Sequence, residues 1–151
     1  MVESSSFRIS LVISNYYPDI SERLRVSALR FLQDSCAVVS TTHVMGVLEI
    51  PTAISILDNS PNSFDGYVAL GCVIRGETSH YDVVCQNSSM ALTHLGINKG
   101  ICIGNGILTV ENLNQAEARS EIEGGRNAGE WAAKATINLV ELKYNIHNNN
   151  K

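Results

Sequence analysis

Gly66-Tyr67-Val68-Ala69-Leu70-Gly71-Cys72-Val73-Ile74 is the most apolar run of strand length in this chain of 151 residues. Its apolar residues do not alternate with polar ones, as expected of a strand covered on both faces at the centre of a parallel sheet. On either side of it, apolar runs of strand length alternate with stretches of helical period. Toward the N-terminus, Phe7 to Ser14 reads as a β-branched-rich strand, and Ile20 to Leu32 as a helix with Leu24, Ala28, Phe31 and Leu32 on one face. Cys36 to Val44 reads as a second strand, and Ile50 to Leu57 as a short helix with Pro51 in its first turn. Toward the C-terminus, Ser79 to Leu95 is helical, Gly100 to Leu108 is a fourth strand, and helices follow near Glu111 to Ala118 and from Asn127 to Tyr144. In the last of these, Ala128, Trp131, Ala132, Ala135, Leu139 and Leu142 form one stripe. The alternation predicts one α/β domain over residues 1–151, with a parallel sheet, right-handed crossovers and flexible ends at 1–6 and 145–151.

Composition removes several function classes. The net charge of −4 argues against a general nucleic-acid binder, which shows a basic patch or stripe. No apolar run approaches the roughly 20 residues of a membrane span. Met1-Val2-Glu3-Ser4-Ser5-Ser6 has no basic region leading into an apolar stretch, so no secretory signal is read and the expected location is the cytoplasm. Cys36, Cys72, Cys85 and Cys102 are widely spaced without a C-x-x-C pair, and read as reduced, mostly buried small hydrophobes. Charged residues make up 17% of the chain, against about 25% in typical soluble domains. This suggests that part of the surface is covered by copies of the same chain.

In an open parallel sheet, ligands bind beyond the carboxyl ends of the strands. Those positions hold Asn15-Tyr16-Tyr17, His43 to Glu49, Cys72 to Tyr81 and Gly104 to Thr109. The turn Gly76-Glu77-Thr78-Ser79 leads from strand to helix, where free backbone N–H groups suit a phosphate. His80 follows in the first helical turn, beside such an anion, where an imidazole could give and take protons. The same residues also read as an ordinary cap followed by a surface histidine. Glu49, a lone carboxylate among apolar residues, needs solvent or a partner, or simply matches a helix N-terminus. Tyr16 and Tyr17 can stack on a flat ligand or pack as loop aromatics. Arg119 is a solvated helix-end cation unless the fold or a neighbouring subunit brings it to an anion. Gly104-Asn105-Gly106 is not a dinucleotide fingerprint, since Thr109 stands where the third glycine belongs, and neither a Walker A pattern nor a G-x-S-x-G elbow occurs.

Taken together, these residues resemble the lumazine synthase family of riboflavin biosynthesis. The segment from Ala69 to Asp82 (ALGCVIRGETSHYD) resembles that family's signature, and Gly46-Val47-Leu48-Glu49-Ile50-Pro51 its G-x-[FL]-E-[IL]-P. Gly106-Ile107-Leu108-Thr109 with Glu111, Gln115, Ala116 and Arg119 resembles a third motif, and the likeness spans roughly residues 7 to 144. The resemblance implies a flavodoxin-like three-layer α/β/α sandwich with a four-stranded parallel sheet, assembled as pentamers or multiples of them. It also implies the condensation of 5-amino-6-(D-ribitylamino)uracil with 3,4-dihydroxy-2-butanone 4-phosphate to 6,7-dimethyl-8-ribityllumazine, phosphate and water. No metal or organic cofactor is implied, and riboflavin synthase is an implied partner.

Carried over residue by residue, the resemblance makes Tyr16 the ring that stacks on the pyrimidine and places Val47, Leu48 and Glu49 around the ribityl chain. Cys72, Val73 and Ile74 would line the pyrimidine edge, largely through main-chain groups. Glu77 and Thr78 match the phosphate turn, His80 the proton-transferring residue, and Arg119 the phosphate cation lent by the adjacent subunit. The chain departs from the family pattern in three places. Asn105 stands where many members carry Phe, and no Lys fills the second phosphate position in Glu121 to Gly129, where Arg126 is a substitute candidate. Only six residues precede Phe7. The longer Glu-Gly-Gly loop and short N-terminus favour an isolated pentamer over a shell. A non-catalytic flavin-binding relative and a different enzyme on the same type of sheet are the competing readings.

Overall fold

The structure, a computed structural model, describes residues 6–151. The expectations for residues 1–5, including that of a short or absent N-terminal strand, lie outside the described residues. The element order is β1 (Arg8–Ser14), α1 (Pro18–Asp34), β2 (Val38–Val44), a 3-10 turn (Val47–Glu49), α2 (Ile50–Asp58), β3 (Gly66–Ile74), α3 (His80–Lys99), β4 (Ile103–Val110), α4 (Leu113–Ala118) and α5 (Ala128–Asn149). The strands form one parallel sheet in the order β2-β1-β3-β4. Chain direction across the sheet therefore reverses between β1 and β3, where an open α/β sheet leaves a crevice.

β1 and β3 are buried on both faces. Ile9, Leu11 and Ile13 of β1 pack with Val68, Leu70 and Cys72 of β3 in a cluster that also holds Leu24, Ala28 and Leu32 of α1 and Ala132, Ala133, Ile137 and Val140 of α5. On the other face, Val12, Tyr67 and Ala69 pack with Ile50 and Ile54 of α2 and Val84 and Leu92 of α3. Three layers result, with α1 and α5 on one side and α2 and α3 on the other. The second helical layer is thinly anchored. Of the 20 residues of α3 only Val84, Ser88 and Leu92 are buried, while Val83, Met90 and Ile97 point to the outside with Ile56 of α2.

Several boundaries and faces differ from the sequence reading. β2 starts at Val38 rather than Cys36, because Cys36 adopts a left-handed conformation (φ 60°) in the turn that closes α1. Cys36 is exposed and Cys85 half-buried, so only Cys72 and Cys102 are the buried hydrophobes expected. β4 starts at Ile103 rather than Gly100, which instead ends α3 in a left-handed cap (φ 63°) with its N–H on the Gly96 carbonyl. α5 continues past Tyr144 to Asn149, since no Gly or Pro interrupts it.

The largest difference is the face of α5 that packs. Gly129, Ala132, Ala133, Thr136, Ile137 and Val140 are buried, whereas Trp131, Leu139 and Leu142 of the apolar stripe are exposed. The sheet approaches this helix so closely that only small side chains fit between them. A Cβ on Gly104 of β4 would lie 2.0 Å from the Ala132 carbonyl oxygen.

Asn127 starts α5 and ties it to the rest of the fold. Its buried side chain accepts from the N–H groups of Gly129 (2.9 Å) and Glu130 (3.4 Å) and donates to the carbonyls of Ser120 (2.9 Å) and Arg23 (3.3 Å). An Asn127→Ala protein is expected to lose about 2–3 kcal/mol, from a lost N-cap and from buried carbonyls left without donors. Chemical denaturation reads this as a lower midpoint, and an unchanged midpoint would contradict it.

Candidate active site

The carboxyl ends of β1 and β3 open onto a cavity of about 520 Å³. Tyr16 and Tyr17, from the loop after β1, form one wall and meet edge to face with ring centroids 5.1 Å apart. A second wall runs from Met45 to Glu49 after β2. The end of β3 supplies Cys72, Val73 and Ile74, and the β3–α3 corner supplies Gly76, Thr78, His80, Tyr81 and Val84. The lining is mostly apolar, with a few convergent polar groups that can orient a ligand.

Local sequence explains these positions. Pro51 sits in the first turn of α2, so the chain enters that helix through the 3-10 turn that holds Val47, Leu48 and Glu49 at the cavity. A Cβ on Gly46 beside it would lie 2.8 Å from the Glu49 carboxylate, so a larger residue there would push that side chain out of its present place. At the opposite corner, Ser79 precedes α3 without a side-chain cap. The Thr78 hydroxyl accepts instead from the His80 backbone N–H at 3.3 Å. The His80 ring is exposed at the cavity wall in the first turn of the helix.

Burial sets the chemistry of two further lining groups. It pushes the Cys72 thiol up to about 11. The Tyr17 hydroxyl is raised above its usual value, first by burial and then by Tyr16 and Cys72. Both groups keep their protons at neutral pH. Cys72 is therefore a poor nucleophile, and a covalent thiol mechanism does not fit the site. A thiol reagent at pH 7.5 should label the exposed Cys36 quickly, and Cys72 and Cys102 only after denaturation. Rapid labelling of Cys72 in the native protein would contradict this.

The cavity unites Tyr16, Val47, Leu48, Glu49, Cys72, Val73, Ile74, Thr78 and His80 of the residues expected from the sequence. It leaves out three. Glu77 is exposed on the turn without lining the cavity. Asn105 lies on the edge strand β4, where its side chain accepts from the Ile107 N–H at 3.0 Å. Arg119 closes α4, with a guanidinium N–H donated to the Gln115 carbonyl at 3.1 Å. The cavity also takes in Gly76 of the phosphate turn, Met45, Gly46 and Tyr81, which fall within the strand-end stretches read from the sequence without a role of their own, and Val84, which lies outside them. His80, Tyr81 and Val84 fall on one side of α3 by helical spacing, the one available signal for the last two.

The family model described as 6,7-dimethyl-8-ribityllumazine synthase matches residues 6–144. The chain belongs to that family. Curated relatives with this name include one from Jannaschia sp., 52% identical over 89% of this chain and 74% of the relative. Another, from Bartonella bacilliformis, is 44% identical over 92% of this chain and 91% of the relative. A third, 6,7-dimethyl-8-ribityllumazine synthase 1 of Rhizobium meliloti, is 38% identical over 97% of each chain. Family membership makes this an enzyme of riboflavin biosynthesis, a transferase of the lumazine synthase family on a four-stranded parallel sheet flanked by helices. Among the described residues no helix is long and apolar enough to cross a membrane.

Proposed function

We propose that the cavity between β1 and β3 condenses 5-amino-6-(D-ribitylamino)uracil with 3,4-dihydroxy-2-butanone 4-phosphate, and that each site is shared by two subunits of a cytoplasmic homopentamer. The observation carrying this reading is the convergence of Tyr16, Glu49, Thr78 and His80 on one cavity. The pyrimidine stacks on Tyr16 and meets the ends of Cys72, Val73 and Ile74, while Glu49 accepts from the ribityl hydroxyls beside Val47 and Leu48. Thr78 and the backbone N–H groups of the turn that carries Glu77 face the phosphate. Amine attack on the ketone, loss of water, departure of phosphate and ring closure with loss of a second water ask the site mainly to align two substrates and move protons. His80 stands where it can give and take those protons and pass one to the departing phosphate.

Arg119 and Asn105 lie outside the cavity of their own subunit, which supports a role in the adjacent one. The exposed apolar residues Ile56, Val83, Met90 and Ile97 on α2 and α3 support a ring of subunits, each a single domain. Light scattering is expected to report a pentamer, and a megadalton particle would contradict an isolated ring. Riboflavin synthase, which takes the lumazine onward, is the proposed partner.

Subunit mixing tests the shared site. His80→Ala and Arg119→Ala proteins, each impaired alone, are unfolded together and reassembled in equal amounts. Random assembly should restore about a quarter of the sites, each with His80 from one subunit and Arg119 from its neighbour. Recovery is read from the fluorescence of the lumazine product. Activity no higher than the mean of the two variants would overturn the sharing.

A further inference from the structure

Arg75 lies just before the phosphate turn and does not line the cavity, yet it holds together the elements around that turn. Its Nε donates to the Glu111 carboxylate at 2.7 Å, and its two terminal nitrogens each donate to one oxygen of Asp82 at 3.3 Å. The guanidinium also lies 4.2 Å from the centroid of Tyr81, a lining residue. Its backbone N–H donates to the Val110 carbonyl at 3.0 Å, so main chain and side chain both fasten the end of β3 to the end of β4. Glu111 in turn donates its N–H to the Gln115 side chain, at the start of the short helix that ends in Arg119.

The charges around the turn give this arrangement a purpose. Asp82 stands in the first turn of α3, where a carboxylate is drawn to the free N–H groups at the helix start. The N–H groups of this corner are the ones a phosphate would use: Ser79 adds no side-chain cap, the His80 N–H meets the Thr78 hydroxyl and the Asp82 N–H the Ser79 carbonyl, and no carboxylate among the described residues occupies them. Both oxygens of Asp82 face Arg75 instead. An isolated surface ion pair stabilises a fold by little, but one guanidinium spread over two carboxylates and a ring has the fixed geometry that a lysine cannot reproduce.

We infer that Arg75 is a positioning residue for the phosphate-bearing substrate: it holds Asp82 and Glu111 aside, so that the β3–α3 turn meets an incoming phosphate clear of both carboxylates. This rests on the placement of the phosphate at that turn. Arg75→Gln is expected to raise KM for the four-carbon phosphate about tenfold, the scale of one charge-assisted contact. Competitive inhibition by inorganic phosphate should weaken by a similar factor, with KM for the ribitylaminouracil within about twofold of the parent.

The decisive variant adds Asp82→Asn to Arg75→Gln. Removing the freed carboxylate should restore most of the phosphate inhibition, whereas a clamp that only stabilises the corner would be weakened further by losing a second member. Unchanged phosphate inhibition in Arg75→Gln, an equal rise in both KM values, or no rescue by Asp82→Asn would overturn the inference. If inorganic phosphate does not compete in the parent enzyme, the placement of the phosphate fails, and the role of Arg75 with it.

Discussion

His80→Ala should lower turnover about a hundredfold, near the lower end of the range for losing a positioned acid–base group, while leaving the KM for the ribitylaminouracil nearly unchanged. The asymmetry follows from where the side chains lie. The pyrimidine and its ribityl chain are assigned to Tyr16, Glu49 and the ends of β3, whereas His80 stands beside the phosphate turn. Its ring is exposed at an open cavity, so water can enter the space left by alanine and carry part of the proton traffic. That is why the loss should sit at the low end. His80→Gln keeps a hydrogen-bonding side chain but cannot shuttle protons, and should be nearly as slow as alanine. Stopped-flow absorbance under single-turnover conditions separates chemistry from product release. Unchanged single-turnover rates in both variants would reject the assignment.

The second large effect is structural and lies on the opposite side of the sheet. Gly104→Ala is expected to destabilise the protein by about 3 kcal/mol, the upper part of the usual range for overpacking a core. The added Cβ would meet the Ala132 carbonyl oxygen at 2.0 Å and the Thr136 hydroxyl at 2.4 Å. Neither can swing away. The first is helix backbone, and the Thr136 hydroxyl is buried while donating to the Tyr67 and Ala132 carbonyls. Relief therefore requires α5 to move off the sheet, which loosens the contacts of Ala133, Ile137 and Val140 with β3 and β4. For a chain of this size the loss corresponds to a fall in Tm of about 10 °C. Gly76→Ala is the control, since a Cβ there meets nothing within 4 Å. Its Tm should stay within about 2 °C of the parent, and an equal fall in both variants would refute the close-contact explanation.

What could be read in advance follows from the range of the interactions concerned. The uninterrupted apolar run of β3, buried from Gly66 to Cys72, marks a central parallel strand because burial on both faces removes polar residues from every position. The turn after it and the segment around Glu49 were legible as site elements because each is a short local pattern at a strand end. The packed face of α5 was not. Reading the most hydrophobic spacing selects Trp131, Leu139 and Leu142 together with Ala132, but of these the helix buries only Ala132, beside Gly129, Ala133 and Thr136. Side-chain size, set by how near β4 and α1 approach, decides there against hydrophobicity. The start of β2 was misplaced for a local reason of another kind, since the left-handed turn at Cys36 lacks the usual glycine.

The sequence by itself determined the α/β class, the order of the elements and the three motifs that carry family membership, because all of these are written in neighbouring residues and their periodicity. Only the tertiary structure decided which residues share a cavity. Tyr16, Glu49 and His80 are far apart along the chain and meet because parallel strands direct all their carboxyl ends to one edge of the sheet. The same geometry leaves Asn105 and Arg119 outside that cavity. Distances between segments far apart in sequence depend on how closely backbones approach one another, and no local pattern records that.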